Sequence, residues 1–416
     1  MGKRLAARYF LDEFGEGGVH VCNYLLAADV ELEPLPGFAL TGWDKGYSDF
    51  HLVPDPETFR VLPWFDRTGL VIADVFNTDG TMVEVSPRRI LQRRIEALGA
   101  LGLRAETASE LEFYLFRGTY DEISDLSRLP QVTTPYIVDY DILGTSRDED
   151  VLADVRRSMR VAGVEVEGSK GEWGRGQHEI NLAHCGPLKM TDWHVVFKQG
   201  VKVIAGRHGR AATFMAKVDA QMAGSSCHIH VSLKDDQGNN PFWNGGPSKL
   251  FYNFLGGYLK YLKELTLLLA PTINSYKRFS SRSFAPTTLA WGWDNRTCGI
   301  RAVGKGPSLR LECRLPGADA NPYLALSALL AAGAAGIEED LDAPKAVQGN
   351  AYEQEGLERV PGSLEEAARL WRGSKLAHRV FGDGVVEHYA HLAELEVAAM
   401  AGHVTDWERR RYFERM

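Results

Sequence analysis

Four segments of this chain carry charged or polar side chains at every second position, and that pattern limits the fold more than any other feature. In SELEFYLF (109–116), Glu110 and Glu112 fall on one face while Leu111, Phe113 and Leu115 fall on the other, the period-two alternation of a strand. GQHEINL (176–182) puts Gln177, Glu179 and Asn181 on one side, and Glu172 lies in its glycine-rich lead-in GEWGRG. CHIHVSL (227–233) sets His228, His230 and Ser232 against Cys227, Ile229 and Val231. LRLECRL (309–315) sets Arg310, Glu312 and Arg314 against Leu309, Leu311, Cys313 and Leu315.

Any one of these is an ordinary antiparallel strand with a wet face. Taken together they resist that reading, because the stripes carry Glu, His and Arg and no Lys. If the four faces converge, they form a cavity of carboxylates, imidazoles and guanidiniums that needs cations to hold it together. Carboxylate oxygens with an imidazole suit Mg²⁺ or Mn²⁺, and so many acids predict two ions. Divalent ions beside arginines are equipment for phosphoryl transfer, which points to a nucleotide triphosphate. No GxxxxGK[ST] occurs, and the Gly304–Ser308 run lacks its spacing, so phosphate binding must rest on metals and arginines rather than a P-loop.

The rest of the chain excludes other classes. Its 416 residues suffice for two to four domains. With 47 Lys+Arg against 55 Asp+Glu, the net charge of −8 argues against a partner made of nucleic acid or anionic membrane. Cys22, Cys185, Cys227, Cys298 and Cys313 are odd in number with no CxxC, which predicts neither disulfides nor a zinc ribbon and fits a cytoplasmic location. MGKRLAARYF has no secretory pattern. The apolar run Tyr323–Ile337 is shorter than the roughly 18–20 residues that span a bilayer and reads as a buried helix. Short β-type segments between Val19 and Val75 (VHVCNYLLAADV, FHLVP, GLVIADVF) predict a small, mostly β unit. Ser86-Pro87 then caps a helix and marks a boundary. Beyond it strands and helices mix without strict alternation, which predicts an α+β fold. Helices are expected over 192–206, over 250–269 ending at Pro271, over 321–337, and from a capping box at Ser363–Glu366.

From about Leu52 to the C-terminus the ordered motifs SELEFYLF, GEWGRGQHEI, ATFMAK, GSSCHIHVSL, NSYKRF, APTTLAWGWDNRTCGIR and LECRLPGADANPYLALSALLAAG closely resemble the glutamine synthetase family. The resemblance implies a β-grasp N-terminal domain over 1–86 and a larger catalytic domain over 87–416, with antiparallel strands lining a funnel among surrounding helices. It implies a homo-oligomer of stacked rings, a dodecamer, with each funnel completed by a neighbour's first domain. In relatives MGKRL falls inside that first domain, so its front is expected to be missing and activity of the chain as it stands is in question. Position by position, Glu112, Glu172 and Glu179 match the ligands of one metal, and Glu110, His228 and Glu312 those of a second. Arg278, Arg314 and Gly224 match groups that recognise glutamate and its phosphorylated form. Arg296, Arg301 and Arg310 match the ATP clamp, with Arg296, Arg301 and Arg314 in catalytic positions, and Glu167 and Ser232 align with nucleotide contacts. His230 reads equally as a wall residue or a substrate contact. The implied chemistry joins the γ-carboxylate of glutamate to an amine through a γ-glutamyl phosphate made from ATP.

The departures bear on the amine. Ammonia-using members end the segment after NSYKR in Glu-Ala-Pro, and that Glu holds ammonium; here NSYKRFSSRSFAP has Phe284 in its place. The loop that offers them an Asp is replaced by PGFALTGWDKGY (36–47). Losing both acids leaves an aromatic wall, with Trp291 and Trp293 expected near it, and predicts a small organic primary amine such as ethanolamine rather than ammonium. A polyamine is disfavoured because the replaced loop is not conspicuously acidic. Pro307 stands where many members have a nucleotide-contacting Lys, and Ala223 where an Asn precedes the glycine. Tyr352, near an adenylylated position of some members, reads as a plain surface tyrosine. The competing expectations are an ammonia-using glutamine synthetase and a non-catalytic sensor or scaffold of the same fold.

Overall fold

The computed structural model describes residues 2–13, 19–124, 129–281 and 283–416. Strands β1 (Val19–Cys22), β2 (Asp49–Val61) and β3 (Gly69–Asn77) form a small antiparallel sheet in that order. The larger sheet is built from β4 (Arg104–Arg117), β5 (Val166–Gly171), β6 (Gln177–Leu182), β7 (Arg210–Thr213), β8 (Cys227–Lys234), β9 (Trp291–Trp293), β10 (Ile300–Val303) and β11 (Arg310–Cys313). Its order is β5-β6-β4-β8-β11-β10-β9, with β7 alongside the end of β4. All its pairings are antiparallel except β9 with β10. The mixture of helices with one small and one large sheet is the expected α+β class.

Helices cover the face of the large sheet opposite the polar stripes. Leu111, Phe113 and Leu115 of β4 are fully buried there, beneath the helix Pro187–Arg207. The apolar run after Asn321 is the helix Pro322–Glu338, buried on nearly all sides, with the Asn321 side chain accepting from Tyr323 and Leu324 N–H. It crosses the helix Lys249–Tyr261 at very close range. A Cβ on Gly257 would stand 2.0 Å from the Ala332 carbonyl, and one on Gly336 would stand 2.2 Å from that of Asn253. Among the described residues no helix is long and apolar enough to cross a membrane.

Three local expectations are corrected. VHVCNYLLAADV is a strand only to Cys22. A 3₁₀ turn, Asn23–Leu26, follows, because the Asn23 amide donates to Ser48 Oγ (2.9 Å) and its carbonyl accepts from Thr41 (2.5 Å). The helix predicted over 250–269 is two pieces, Lys249–Tyr261 and Thr266–Leu269. Only half of the capping box forms: Ser363 caps Glu366 N–H, while the Glu366 carboxylate accepts from Gly362 N–H rather than from Ser363.

Arg88 ties the small sheet to the helix Pro187–Arg207. It sits in the first turn of the helix Pro87–Ala100, and its nearly buried guanidinium reaches Asp55 on β2 (2.6 Å), Asp74 on β3 (2.7 Å) and Asp192 in the helix Pro187–Arg207 (3.2 Å). Tyr323 also donates to Asp192. Burial alone would lower the pKa of Arg88, but the hydrogen bonds and charge of Asp192, Asp74 and Asp55 outweigh it and hold the group charged.

Candidate active site

The four striped segments are four consecutive strands, β6, β4, β8 and β11. Register then decides which side chains meet. Glu179 stands opposite Glu112, and Glu110 is flanked by Asn181 on β6 and His228 on β8. His230 stands opposite Glu312, which faces Arg301 on β10. One ligand atom each from Glu110, His228 and Glu312 lies within 4.8 Å of the others, and the same holds for Glu112, Glu179 and His228. Two carboxylates directly opposite on neighbouring strands repel one another, so the arrangement needs positive charge nearby.

The structure supplies that charge unevenly. Glu312 is almost fully buried and accepts from Arg314 and, at 2.7 Å, from Arg301. Burial pushes its pKa up, but His228, Arg314, His230 and Arg301 hold it down, at about 2. Burial and the Arg314 charge lower the pKa of His228, leaving a neutral imidazole at pH 7, the form that ligates metal. Arg310 Nε lies 3.2 Å from His230 Nδ1, so that nitrogen accepts and Nε2, 3.0 Å from Glu110, carries the proton.

The β6–β4 side is the opposite case. Burial and then the Glu172 charge push the Glu112 pKa up, to about 8, against the Ser226 N–H that donates to it at 2.7 Å. Burial and neighbouring carboxylates also push Glu179 well above the usual range. Glu172, expected to complete this group, instead pairs with Lys170, whose ammonium also lies 3.7 Å from Asp139 and 4.8 Å from the Tyr140 ring centroid.

A pH dependence follows. A carboxyl whose folded pKa exceeds its ordinary value of 4.5 contributes stability that is whole below that value and is lost as pH rises through the folded one, about 8 for Glu112. In EDTA the melting temperature is expected to fall between pH 6 and 8.5, and the gain on adding Mg²⁺ to be larger at pH 8.5, because metal binds the ionised form. Glu112→Gln should flatten both trends in scanning fluorimetry. An Mg²⁺ gain as large at pH 6 would contradict this.

The remaining expected site residues separate into those at the carboxylate groups and those apart. Arg314 donates to Glu312 and, at 3.2 Å, to the Phe284 carbonyl. Arg278 is fully buried and gives its guanidinium to Ser226 Oγ (3.1 Å) and to the carbonyls of Arg314 (3.3 Å) and Leu315. The Nε atoms of Arg278 and Arg314 are buried without a partner. Gly224 fits over Arg278 because a Cβ there would lie 2.4 Å from Arg278 Cγ. Ser232 is half-buried on the β8 stripe, opposite Glu106. Arg296 is exposed, 4.0 Å from Asp294, and Glu167 is exposed at the irregularity of the outermost strand β5. The structure brings neither into the carboxylate groups.

The aromatic neighbours of Phe284 differ from expectation. Trp291 is buried against Phe251 and Tyr252, and Trp293 stacks on Phe251 at 5.6 Å. The ring that meets Phe284 is Trp173, edge to face at 5.9 Å, from the turn between β5 and β6. GEWGRG held the signal: a tryptophan in a glycine-rich turn has no core to enter. Tyr352 is half-buried, not a plain surface residue, and its hydroxyl donates to the Ala285 carbonyl at 2.8 Å.

A striped large sheet with a small N-terminal sheet packed near it, and two overlapping acid–imidazole groups beside arginines, define a glutamine-synthetase-type catalytic fold. Residues 84–412 match the glutamine synthetase catalytic-domain family. The chain is 49% identical to the gamma-glutamylethanolamide synthetase of Streptomyces coelicolor, over all of this chain and 90% of that protein. It is 39% identical to the glutamate–isopropylamine ligase of a Pseudomonas species, over 99% of this chain and 92% of that one. A solved ADP complex of GmaS superposes with a TM-score of 0.84 at 30% identity, covering 97% of this chain and 92% of that one. The chain belongs to the glutamine synthetase family.

Proposed function

We propose that this glutamate–amine ligase uses ATP to activate the γ-carboxylate of glutamate and passes it to a small organic primary amine such as ethanolamine. The observation that carries the acceptor is Phe284, a half-exposed ring whose carbonyl is bound by Arg314, at the sequence position where ammonia-using relatives have a carboxylate. An ammonium ion would lack that charge partner, whereas an alkyl or hydroxyalkyl body gains apolar contact. The two relatives named for ethanolamide and isopropylamine ligation support the same acceptor class.

The groups around His228 fit two Mg²⁺ or Mn²⁺ ions, because carboxylates and a neutral imidazole are the donors such ions take. Glu110, His228 and Glu312 would hold one; Glu112 and Glu179 would hold the other, with Glu172 once it leaves Lys170. Bound there, the ions would neutralise phosphate oxygens. Arg301 and Arg310 flank the first group on the ATP side, with Ser232, Glu167 and Arg296 as outer nucleotide contacts. The partnerless Nε–H groups of Arg278 and Arg314 offer donors to the anionic glutamate and its acyl phosphate. Shielding by the funnel keeps water from that acyl phosphate until the amine arrives. We assign residues 1–86 and 87–416 to the two domains, and a cytoplasmic ring-shaped homo-oligomer as the working assembly.

Phosphate release with glutamate, ATP and Mg²⁺ across a panel of amines tests the reading. Ethanolamine or a similar small amine is expected to exceed ammonium at least 10-fold in kcat/KM. Efficient turnover with ammonium alone would replace it with glutamine synthesis, and no glutamate-dependent phosphate release with any amine would favour a non-catalytic role.

A further inference from the structure

Two half-exposed aromatic rings on separate turns need an explanation that the core does not give. Trp173 and Phe284 are 53% and 49% exposed, yet they touch each other edge to face. Each is attached to a charged group of the site through its own backbone. The N–H of Trp173 lies 3.3 Å from the Glu172 carboxylate, and the carbonyl of Phe284 accepts from Arg314 at 3.2 Å. Phe284 also has a φ of 57°, the left-handed region that a bulky residue rarely occupies. Such a conformation persists only when its surroundings fix it. Here Arg314 binds the Phe284 carbonyl, Tyr352 binds the next one, at Ala285, and Ser283 Oγ ties the turn back to the Ser280 carbonyl at 2.6 Å.

Extending the amine-ligase reading, on which this rests, we propose that Trp173 and Phe284 together form the acceptor wall. They would select primary amines with a short alkyl or hydroxyalkyl body, and Tyr352 would be the positioning residue that keeps the wall in place. Both rings keep about half their surface exposed beside groups bound to Glu172 and Arg314, so the carbon body of an amine would rest on them while its nitrogen points toward the arginine side. A wall of two rings binds a short chain along its length and gives ammonium nothing.

The test is steady-state kinetics with ethanolamine, isopropylamine, putrescine and ammonium on the full chain and on Trp173→Ala, Trp173→Phe, Phe284→Ala and Tyr352→Phe. Trp173→Ala and Phe284→Ala are expected to raise KM for the two small amines at least 10-fold while KM for glutamate and ATP stays within about 3-fold. Trp173→Phe should restore most of the affinity, which a loss of fold would not allow. Tyr352→Phe should raise amine KM several-fold with kcat changed less. If the wild type uses a small amine but Trp173→Ala keeps its amine KM, or shifts the glutamate KM equally, the wall assignment is overturned. If the wild type turns over ammonium and no organic amine, the amine-ligase reading itself falls.

Discussion

Glu312→Ala is expected to reduce glutamate- and amine-dependent phosphate release at least 1,000-fold. Glu312 is the buried acceptor for both Arg301 and Arg314, and it stands within metal-sharing distance of Glu110 and His228. Removing one member of a buried charge group costs about 3–5 kcal/mol, because the partners stay buried and unpaired. Arg301 and Arg314 would also lose the acceptor that fixes their orientation, and a donor that no longer reaches the transferring phosphoryl group costs about 100- to 1,000-fold in comparable sites. Glu312→Gln keeps the shape and a hydrogen-bond acceptor but removes the charge, so turnover should still collapse while the fold melts above the Ala variant. A Gln variant retaining a tenth of wild-type activity would exclude Glu312 from the chemistry.

Arg88→Met carries the largest expected effect on stability. The substitution leaves Asp55, Asp74 and Asp192 facing one another without their cation between the small sheet and the helix Pro187–Arg207. Breaking a buried charge group of this kind costs about 3–5 kcal/mol, which for a chain of this size lowers the melting temperature by roughly 3–6 °C. Adding Asp192→Asn to Arg88→Met should recover part of the loss, since the two sites share one network and do not add independently. Melting curves of the single and double variants check it. A single variant that melts within a degree of wild type would show that the cluster is solvated and unimportant.

The striped strands were legible because period two is the strongest pattern a strand can write, and four stripes of the same unusual composition could share only one surface. Which groups pair across it was not legible, since register depends on tertiary pairing. Glu172 was placed with Glu112 and Glu179 by resemblance; in the structure its charge still raises both of their pKa values while its carboxylate pairs with Lys170, two residues away. Trp173 was missed and Trp291 and Trp293 overvalued, because sequence distance from Phe284 is a poor guide to contact between turns. Arg88 did leave a trace. A cation in the first turn of a helix opposes the helix dipole, and Arg88 and Arg89 follow Pro87 with no acid beside them. An uncompensated cation there asks for carboxylates from elsewhere, and three answer.

The two kinds of group in this site sit on different kinds of backbone. Glu110, Glu112, His228 and Glu312 lie on paired strands, where a one-residue slip would turn every stripe inward. Trp173 and Phe284 lie on turns, where length and composition can change without disturbing that register. If the two rings set the acceptor, retooling such a ligase for a new amine would call for redesigning two short turns around a retained Glu172, with the striped strands left alone.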